Sequence, residues 1–250
     1  MRADRIRELE SYIQKKQSAT LTELCEAFNV SLNTIRRDIK ALLATGRVTK
    51  VYGGILYNRD DQVVPVNDRS AIAVEEKDQI GRLAASLVDD NETVYLDSGT
   101  TAAYMLPYLA NKHNVTIVSN SFIIYNEMQR YPEMNLFSTG GLYNHKTKSF
   151  VGMSTINGLQ DIRISKAFMS STGISLELGA TNNSFHEAEI KKSVIKQAQK
   201  VILMSDHSKT DTAAAICFCR LEQLFAYVTD RKPPEEYVQF FEQHNIQLLY

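Results

Sequence analysis

The chain has 250 residues, of which 44% are hydrophobic and 23% are charged, and these fractions exclude a disordered or fibrous chain. The formal net charge is −1, but residues 1–58 hold ten basic and six acidic residues, so their net charge is +4 and that of the remainder is −5. A basic segment joined to an acidic remainder is typical of a DNA-binding module attached to a second domain.

The basic segment begins with two predicted helices. Residues 3–16 carry apolar side chains at a spacing of three and four, which places them on one helix face. Thr20 and Glu23 then form a capping box, because the threonine hydroxyl accepts from a first-turn amide while the glutamate reaches back to the cap. Asn29 tolerates the left-handed conformation and ends this second helix.

A third helix is predicted from its cap at Ser31 to about Thr45, where Gly46 ends it. Only a short turn separates it from the second helix, which is the helix-turn-helix arrangement. The alternating stretch 47–54 that follows predicts a small β-wing. The third helix and the wing supply the predicted DNA contacts, which are Ser31, Asn33, Thr34, Arg36, Arg37, Lys40, Lys50 and Tyr52. A basic helix edge is also compatible with an ordinary solvated face, so the charges alone do not decide this point.

The pattern Arg5-x3-Leu9-x3-Ile13, followed by Ser31-x2-Thr34-Ile35-Arg36-Arg37-Asp38-Ile39-x2-Leu42, resembles the helix-turn-helix signature of DeoR-type bacterial transcriptional regulators. The resemblance implies a winged helix-turn-helix domain over residues 1–57, in which residues 31–40 form the recognition helix. It also implies a double-stranded DNA operator as partner, repression as the default action, and a homo-oligomer, dimer or tetramer.

Residues 57–70 show no helical or strand period, and we expect a linker over residues 58–71. Helical spacing resumes at 75–88. From there to the C-terminus, helix-length segments alternate with apolar runs that predict strands at 93–97, 115–119, 134–139, 166–170, 200–205, 224–229 and 246–250. This alternation predicts that residues 72–250 form an α/β domain with a mostly parallel sheet.

Small polar residues follow five of these predicted strands. Ligands of parallel α/β sheets bind beyond the carboxyl ends of the strands, so the recurrence predicts a pocket for a phosphorylated sugar or polyol. The predicted effector-binding residues are Asp97, Ser98, Gly99, Thr100, Thr101, Ser119, Asn120, Gly140, Gly141, Thr172, Gly173 and Lys209. Each position taken singly is more often an ordinary turn or helix cap, and it is the recurrence at the same end of each strand that favours a pocket.

The same strand ends, together with residues 149–152 and 187–191, are similar to the DeoR-type sensor domain, which is related to sugar-phosphate isomerases and glucosamine-phosphate deaminases. The resemblance implies that residues 98–101 hold the effector phosphate, with Lys209 as its counter-charge, while Asn120, Gly141 and Gly173 line the sugar. The family pattern Gly-Ala-Asp-Gly is replaced here by residues 170–173, so Thr172 stands in place of a carboxylate. That change either alters effector preference or weakens effector binding.

Two alternatives to a regulator have candidate residues. An isomerase- or deaminase-like enzyme with an appended DNA-binding domain would need a general base, for which Asp97 and Glu189 are candidates. A metal-dependent sensor would use His145, His186 and His207, which lack recognised ligand spacing. We expect neither catalysis, nor a metal, nor a cofactor.

The longest apolar run, residues 213–219, has about seven residues and is too short to span a bilayer. The three cysteines are an odd number without a CxxC pair, which favours a reducing compartment over a disulfide framework. We therefore expect a cytoplasmic protein without a membrane partner.

Overall fold

A computed structural model describes residues 2–16, 18–44, 48–51, 54–57 and 66–250. The chain divides into two compact units, residues 1–61 and 62–250, which we call the head and the body. None of the helices in the described ranges is long and apolar enough to cross a membrane.

The head combines three helices with a three-stranded antiparallel sheet. In chain order its elements are α1 (Arg2–Lys16), β1 (Ser18–Thr20), α2 (Leu21–Phe28), α3 (Leu32–Ala44), β2 (Val48–Val51) and β3 (Gly54–Tyr57). The strands lie in the order β1-β3-β2, so the predicted wing is present and is extended by β1. Apolar faces of the three helices pack together around Leu9, Leu24 and Ile35, which are fully buried.

Local signals in the head agree with the sequence patterns. The Thr20 hydroxyl accepts from the Glu23 amide at 3.2 Å, and the Glu23 carboxylate accepts from the Thr20 amide at 2.9 Å. Asn29 has a φ of 50° and ends α2 in the left-handed conformation. The predicted capping box and helix end are therefore confirmed.

A buried ion pair that the sequence pattern does not reveal ties α1 to α3. The Asp38 carboxylate is fully buried and accepts from Arg5 Nε at 2.8 Å. Arg5 and Asp38 are both part of the helix-turn-helix pattern, and the structure gives them this joint role in holding α3 against α1.

The body is built on a seven-stranded sheet in which every strand pair is parallel. Its strands are β4 (Thr93–Leu96), β5 (Thr116–Ser119), β6 (Asn135–Ser138), β9 (Lys166–Ser170), β12 (Lys200–Met204), β14 (Ala226–Val228) and β15 (Gln247–Leu249). They lie in the order β15-β14-β12-β9-β4-β5-β6. The prediction of a mostly parallel α/β domain is confirmed, and each predicted strand is present within two residues of its expected bounds.

Both faces of this sheet are covered. The body helices are α4 (Val66–Ser70), α5 (Val74–Ala85), α6 (Leu106–Leu109), α7 (Phe122–Glu127), α8 (Met153–Asn157), α9 (Phe185–Gln197) and α10 (Glu235–Gln243). Successive residues of β4 belong to different apolar clusters. Tyr95 lies in the cluster that includes residues of α9 and α10, and Leu96 lies in the cluster that includes residues of α5, α6 and α7. Burial on both faces explains why the inner strands of the sheet are largely apolar runs in the sequence, whereas the edge strands β6 and β15 are more exposed.

Two smaller antiparallel sheets complete the body. One is the hairpin of β7 (Leu142–Asn144) and β8 (Ser149–Val151), and the other contains β10 (Gly173–Ser175), β11 (Gly179–Asn182) and β13 (Ile216–Cys219).

One local expectation is corrected by the structure, and one proline shapes the chain after β4. The expectation that residues 66–70 are irregular is wrong, because they form α4, whose Val66 is buried and donates its amide to the Lys146 carbonyl at 3.0 Å. Residues 58–65 of the predicted linker lie outside the described residues. After the loop that follows β4, the chain forms a 3-10 turn (Ala102–Met105) and then the four-residue α6, because Pro107 lacks the amide that a longer regular helix requires.

Candidate functional site

The candidate DNA-binding face lies on α3. Ile35 and Ile39 are buried against the head core, and Asn33, Arg36, Arg37 and Lys40 are exposed, as a helix with one apolar face requires. These four exposed residues are side chains suited to base edges and phosphates.

Four further residues are predicted to contact DNA: Ser31, Thr34, Lys50 and Tyr52. Ser31 Oγ accepts from the Thr34 amide at 3.4 Å and so caps α3, and it lies 3.0 Å from Thr34 Oγ1. The backbone of Lys50 lies in β2, paired with Ile55 of β3. Tyr52 lies outside the described residues.

The candidate effector site is a cavity of about 180 Å³ at the carboxyl edge of the large sheet. It lies beyond the ends of β4, β9 and β12, which are neighbours in the sheet. Its lining comprises Arg69, Ile72, Ala73, Lys77, Gly99, Thr100, Thr101, Ser170, Ser171, Thr172, Met204, Ser205, Asp206 and Lys209. Five of the predicted effector residues therefore meet in one cavity: Gly99, Thr100, Thr101, Thr172 and Lys209.

Asp97 lies directly behind this cavity and fixes its loops. Its Oδ1 accepts from the Gly99 amide at 2.9 Å and from Ser170 Oγ at 3.0 Å, and its Oδ2 accepts from the Ser170 amide at 2.7 Å. The Lys191 ammonium pairs with the same Oδ2 and donates to the Ser170 carbonyl at 2.8 Å. Asp97 is 1% exposed and Lys191 4% exposed, so this ion pair is buried and joins the loop after β4 to the end of β9.

Gly99 is required by the close packing of these two loops. A Cβ atom at this position would lie 2.3 Å from Ser170 Oγ, far inside van der Waals contact. The absence of a side chain therefore allows the backbone of the loop after β4 to approach the end of β9.

Three basic residues converge on the cavity, together with one carboxylate. Lys77, Arg69 and Lys209 line it beside Asp206. Lys77 is 5% exposed and donates to the carbonyls of Arg69 and Ile72, each at 2.5 Å. Its burial is the main cause that lowers the pKa of Lys77; Asp206 opposes this shift, and the positive charges of Lys209 and Arg69 add to it. An anion in the cavity would relieve this clustering of like charge.

A chain of polar side chains runs from the cavity into the body. Ser98 Oγ donates to Glu187 Oε1 at 2.9 Å, Asn182 Nδ2 donates to Glu187 Oε2 at 3.4 Å, and Thr172 Oγ1 donates to Asn182 Oδ1 at 2.9 Å. Glu187 is 5% exposed, whereas Thr172 is exposed at the cavity wall. Ser98 therefore lies with Asp97 behind the cavity, and its hydroxyl is directed to helix α9.

The remaining predicted effector residues lie outside the lining of this cavity. Ser119 is fully buried and donates to the Leu96 carbonyl at 2.7 Å, and Asn120 is held by Tyr95 Oη at 2.8 Å and by the Phe150 carbonyl at 2.9 Å. These bonds shape the turn after β5. The cavity lining also does not include three of the predicted glycines, which are Gly140, Gly141 and Gly173.

Arg69, Lys77, Glu187 and Lys191 are site residues that sequence reasoning did not select. A signal for three of them was present, because Lys77 precedes Ile80 by three positions and lies on the buried face of α5. Glu187 and Lys191 likewise share the buried face of α9. A charged residue at an apolar helix position indicates a partner or a function, since burial of an unpaired charge is costly.

These features define a class of protein: a winged helix-turn-helix head joined to an α/β body with a cationic cavity at the carboxyl edge of its sheet. Two family models match the chain, the DeoR-like helix-turn-helix domain over residues 5–61 and the DeoR C-terminal sensor domain over residues 72–231. The chain belongs to the DeoR family of DNA-binding transcriptional regulators.

Relatives of known name agree with this assignment over almost the whole length. The chain is 39% identical over 246 residues to the HTH-type transcriptional regulator IolR of Bacillus subtilis, covering 98% of each chain. It is 27% identical over 236 residues to the glycerol-3-phosphate regulon repressor of Escherichia coli, covering 94% of each. Among solved structures, ribose 5-phosphate isomerase A of Methanocaldococcus jannaschii has a TM-score of 0.41 and 19% identity over 54% of this chain and 53% of that one, a similarity too low to define a shared function.

Proposed function

We propose that the chain is a repressor of a carbohydrate-utilisation operon and that a phosphorylated sugar bound in the body cavity changes its affinity for operator DNA. The observation that carries this proposal is the convergence of Arg69, Lys77 and Lys209 on one small cavity that the loop of residues 99–101 also lines. Basic side chains form strong, charge-assisted hydrogen bonds with phosphate, and the threonine hydroxyls of the loop add neutral donors.

The lowered pKa of Lys77 supports an anionic ligand in particular. Burial and the neighbouring Lys209 and Arg69 disfavour its protonated form, and Asp206 offsets this only in part. A phosphate dianion placed among these groups would compensate the excess positive charge. A phosphorylated sugar should therefore bind with a more favourable free energy than the neutral sugar.

The head supplies the contact with DNA in this proposal. The exposed face of α3, with Asn33, Arg36, Arg37 and Lys40, enters the major groove. The prediction from sequence that Lys50 and Tyr52 contact DNA is part of the same proposal. Regulators of this architecture bind two half-sites at a fixed spacing, so a homo-oligomer is part of the proposal. Effector binding and DNA binding are then linked, because a ligand that binds one arrangement of subunits more tightly shifts the equilibrium between them.

Calorimetry with the full chain tests the effector site. A panel of phosphorylated sugars should include at least one ligand whose binding is weakened about tenfold or more by Lys209→Ala, since a charged partner of the phosphate is lost. Lys192→Ala is the matched control, because Lys192 is an exposed lysine of α9. Equal effects of the two substitutions would contradict the proposed site.

Binding to operator DNA at several salt concentrations tests the head. The triple variant Arg36→Ala, Arg37→Ala, Lys40→Ala should bind at least about tenfold more weakly than the wild type. The slope of log K against log salt should become shallower by about 0.9 for each phosphate contact that is lost. Lys15→Ala on α1 is the control for a general loss of positive charge. An unchanged affinity of the triple variant would refute the assignment of α3 as the recognition helix.

A further inference from the structure

The direction of one hydrogen bond at the cavity wall decides which ligand groups the cavity accepts. Thr172 is exposed at the wall, and its backbone is fixed because its amide donates to the Thr181 carbonyl at 2.9 Å. Its hydroxyl lies 2.9 Å from Asn182 Oδ1. A hydroxyl has one proton to donate and two lone pairs that accept. If its proton is donated within the protein, the hydroxyl can only accept a hydrogen bond from a ligand.

The orientation of the Asn182 amide is determined by its other partners. Its Oδ1 also accepts from the Asn183 amide at 3.0 Å, and its Nδ2 faces the Glu187 carboxylate at 3.4 Å. Glu187 already accepts from Ser98 Oγ at its other oxygen. The oxygen and nitrogen of Asn182 therefore cannot be exchanged without placing an oxygen against the carboxylate and a nitrogen against an amide proton. Because Oδ1 only accepts, the Thr172 hydroxyl must donate to it.

We infer that Thr172 is a specificity-determining residue that presents only acceptor lone pairs to the cavity and selects a ligand with a hydroxyl group at that position. This inference rests on the proposed function, since Thr172 lines the same cavity as Arg69, Lys77 and Lys209, which are proposed to hold the phosphate. The class of effector it defines is a phosphate ester whose carbon chain carries a hydroxyl donor opposite Thr172. A ligand with a carboxylate or a methyl group there cannot satisfy the threonine oxygen.

The residue type at position 172 also sets the charge of this contact. A carboxylate at this position, as in the family pattern described above, would likewise accept from a ligand hydroxyl but would add a negative charge beside the cavity. Thr172 keeps the acceptor and removes the charge. Discrimination by Thr172 therefore depends on a neutral hydrogen bond, for which the expected effect is about tenfold in affinity.

The test compares pairs of phosphate esters of similar size by calorimetry with the full chain. The pairs are glycerol 3-phosphate with 3-phosphoglycerate, and sorbitol 6-phosphate with 6-phosphogluconate; in each pair a hydroxymethyl group is replaced by a carboxylate. Inorganic phosphate measures the cation cluster alone. We expect the wild type to bind at least one hydroxyl ester about tenfold more tightly than its carboxylate partner.

Variants at position 172 separate the hydroxyl contact from general effects. Thr172→Val keeps the shape and removes the hydroxyl, so it should weaken the preferred hydroxyl ester about tenfold and leave the carboxylate ester and inorganic phosphate unchanged. Thr172→Ser should retain the wild-type preference. Thr116→Val, at the amino end of β5 and therefore on the opposite edge of the sheet, is the control.

The outcomes distinguish the inference from the proposed function. If phosphate esters bind and Lys209→Ala weakens them, but Thr172→Val keeps the full preference, the role of Thr172 is refuted while the effector site stands. If the carboxylate esters bind as tightly as the hydroxyl esters to the wild type, the inference is likewise refuted. If neither inorganic phosphate nor any ester binds, the proposed effector site and the inference fail together.

Discussion

The buried pair of Asp97 and Lys191 gives the sharpest test of how the body is held together. Lys191→Met keeps most of the side-chain volume and removes the ammonium group, which leaves the 1%-exposed Asp97 carboxylate without its cation. Breaking a buried ion pair by removing one partner costs about 3–5 kcal/mol, because an uncompensated charge remains in the interior. The Ser170 carbonyl also loses its 2.8 Å bond to Lys191, which adds to the loss.

In a body of this size, each 1 kcal/mol shifts the melting temperature by roughly 2–4 °C, so the body transition should fall by roughly 10 °C. Thermal unfolding of the full chain measures the shift. Lys192→Met is the matched control on the same helix, because Lys192 is exposed and its substitution should change little. The double variant Asp97→Asn, Lys191→Met should be less destabilised than the sum of its single variants. Equal melting temperatures for the Lys191 and Lys192 variants would refute the reasoning.

Three further outcomes follow from single contacts in the structure. Gly99→Ala should weaken phosphate-ester binding in calorimetry, because the added Cβ would lie 2.3 Å from Ser170 Oγ and would displace the loop after β4. Unchanged affinity would show that this loop is not part of the site. Burial raises the pKa of Asp230, but hydrogen bonds from the His207 amide and ring outweigh it and hold the pKa below its usual value. Asp230 therefore stabilises the fold above the usual carboxyl pKa, and that contribution is lost as pH falls below about 4, so Asp230→Asn should melt with a weaker acid dependence than the wild type. Thr20→Ala should destabilise the head by about 1 kcal/mol in chemical denaturation through loss of the cap of α2, whereas Thr20→Ser should not.

The inner strands of the large sheet, β5, β4, β9, β12 and β14, could be predicted because they are mostly buried on both faces and stand out as apolar runs between polar turns. The short hairpin of β7 and β8 could not, since three-residue strands such as Leu142–Asn144 have too few positions to show a period. Helix α4 could not be predicted from the sequence for the same reason, since its five residues include a single buried apolar side chain, Val66.

The site was predictable only in part, for a physical reason. Small polar residues at strand ends are close in sequence to the strands that position them, so Gly99, Thr172 and Lys209 could be selected. Lys77 and Lys191 come from helices, and only the packing of α5 and α9 brings their ammonium groups to the strand ends. Asp97 is predicted to bind the effector, and in the structure its oxygens accept from the Gly99 and Ser170 amides and pair with Lys191.

Under the proposed function the chain binds two phosphate-bearing ligands, DNA and a phosphate ester, and its geometry separates them by size. The cation cluster of Arg69, Lys77 and Lys209 lies in a cavity of about 180 Å³, which a duplex cannot enter. At physiological salt its field extends over about 8 Å, and residues 59–250 carry a net charge of −5, so the body as a whole does not attract DNA. The basic side chains of α3 are exposed on a convex helix face, where a groove of DNA can reach them and a small ester finds no enclosing wall. Removing one positive charge from the cavity and raising the charge of the body surface by two, as in Lys209→Ala combined with Glu189→Lys, should therefore weaken ester binding and raise non-specific DNA binding. A variant that lost ester binding without gaining salt-sensitive DNA affinity would show that the acidic surface does not serve this separation.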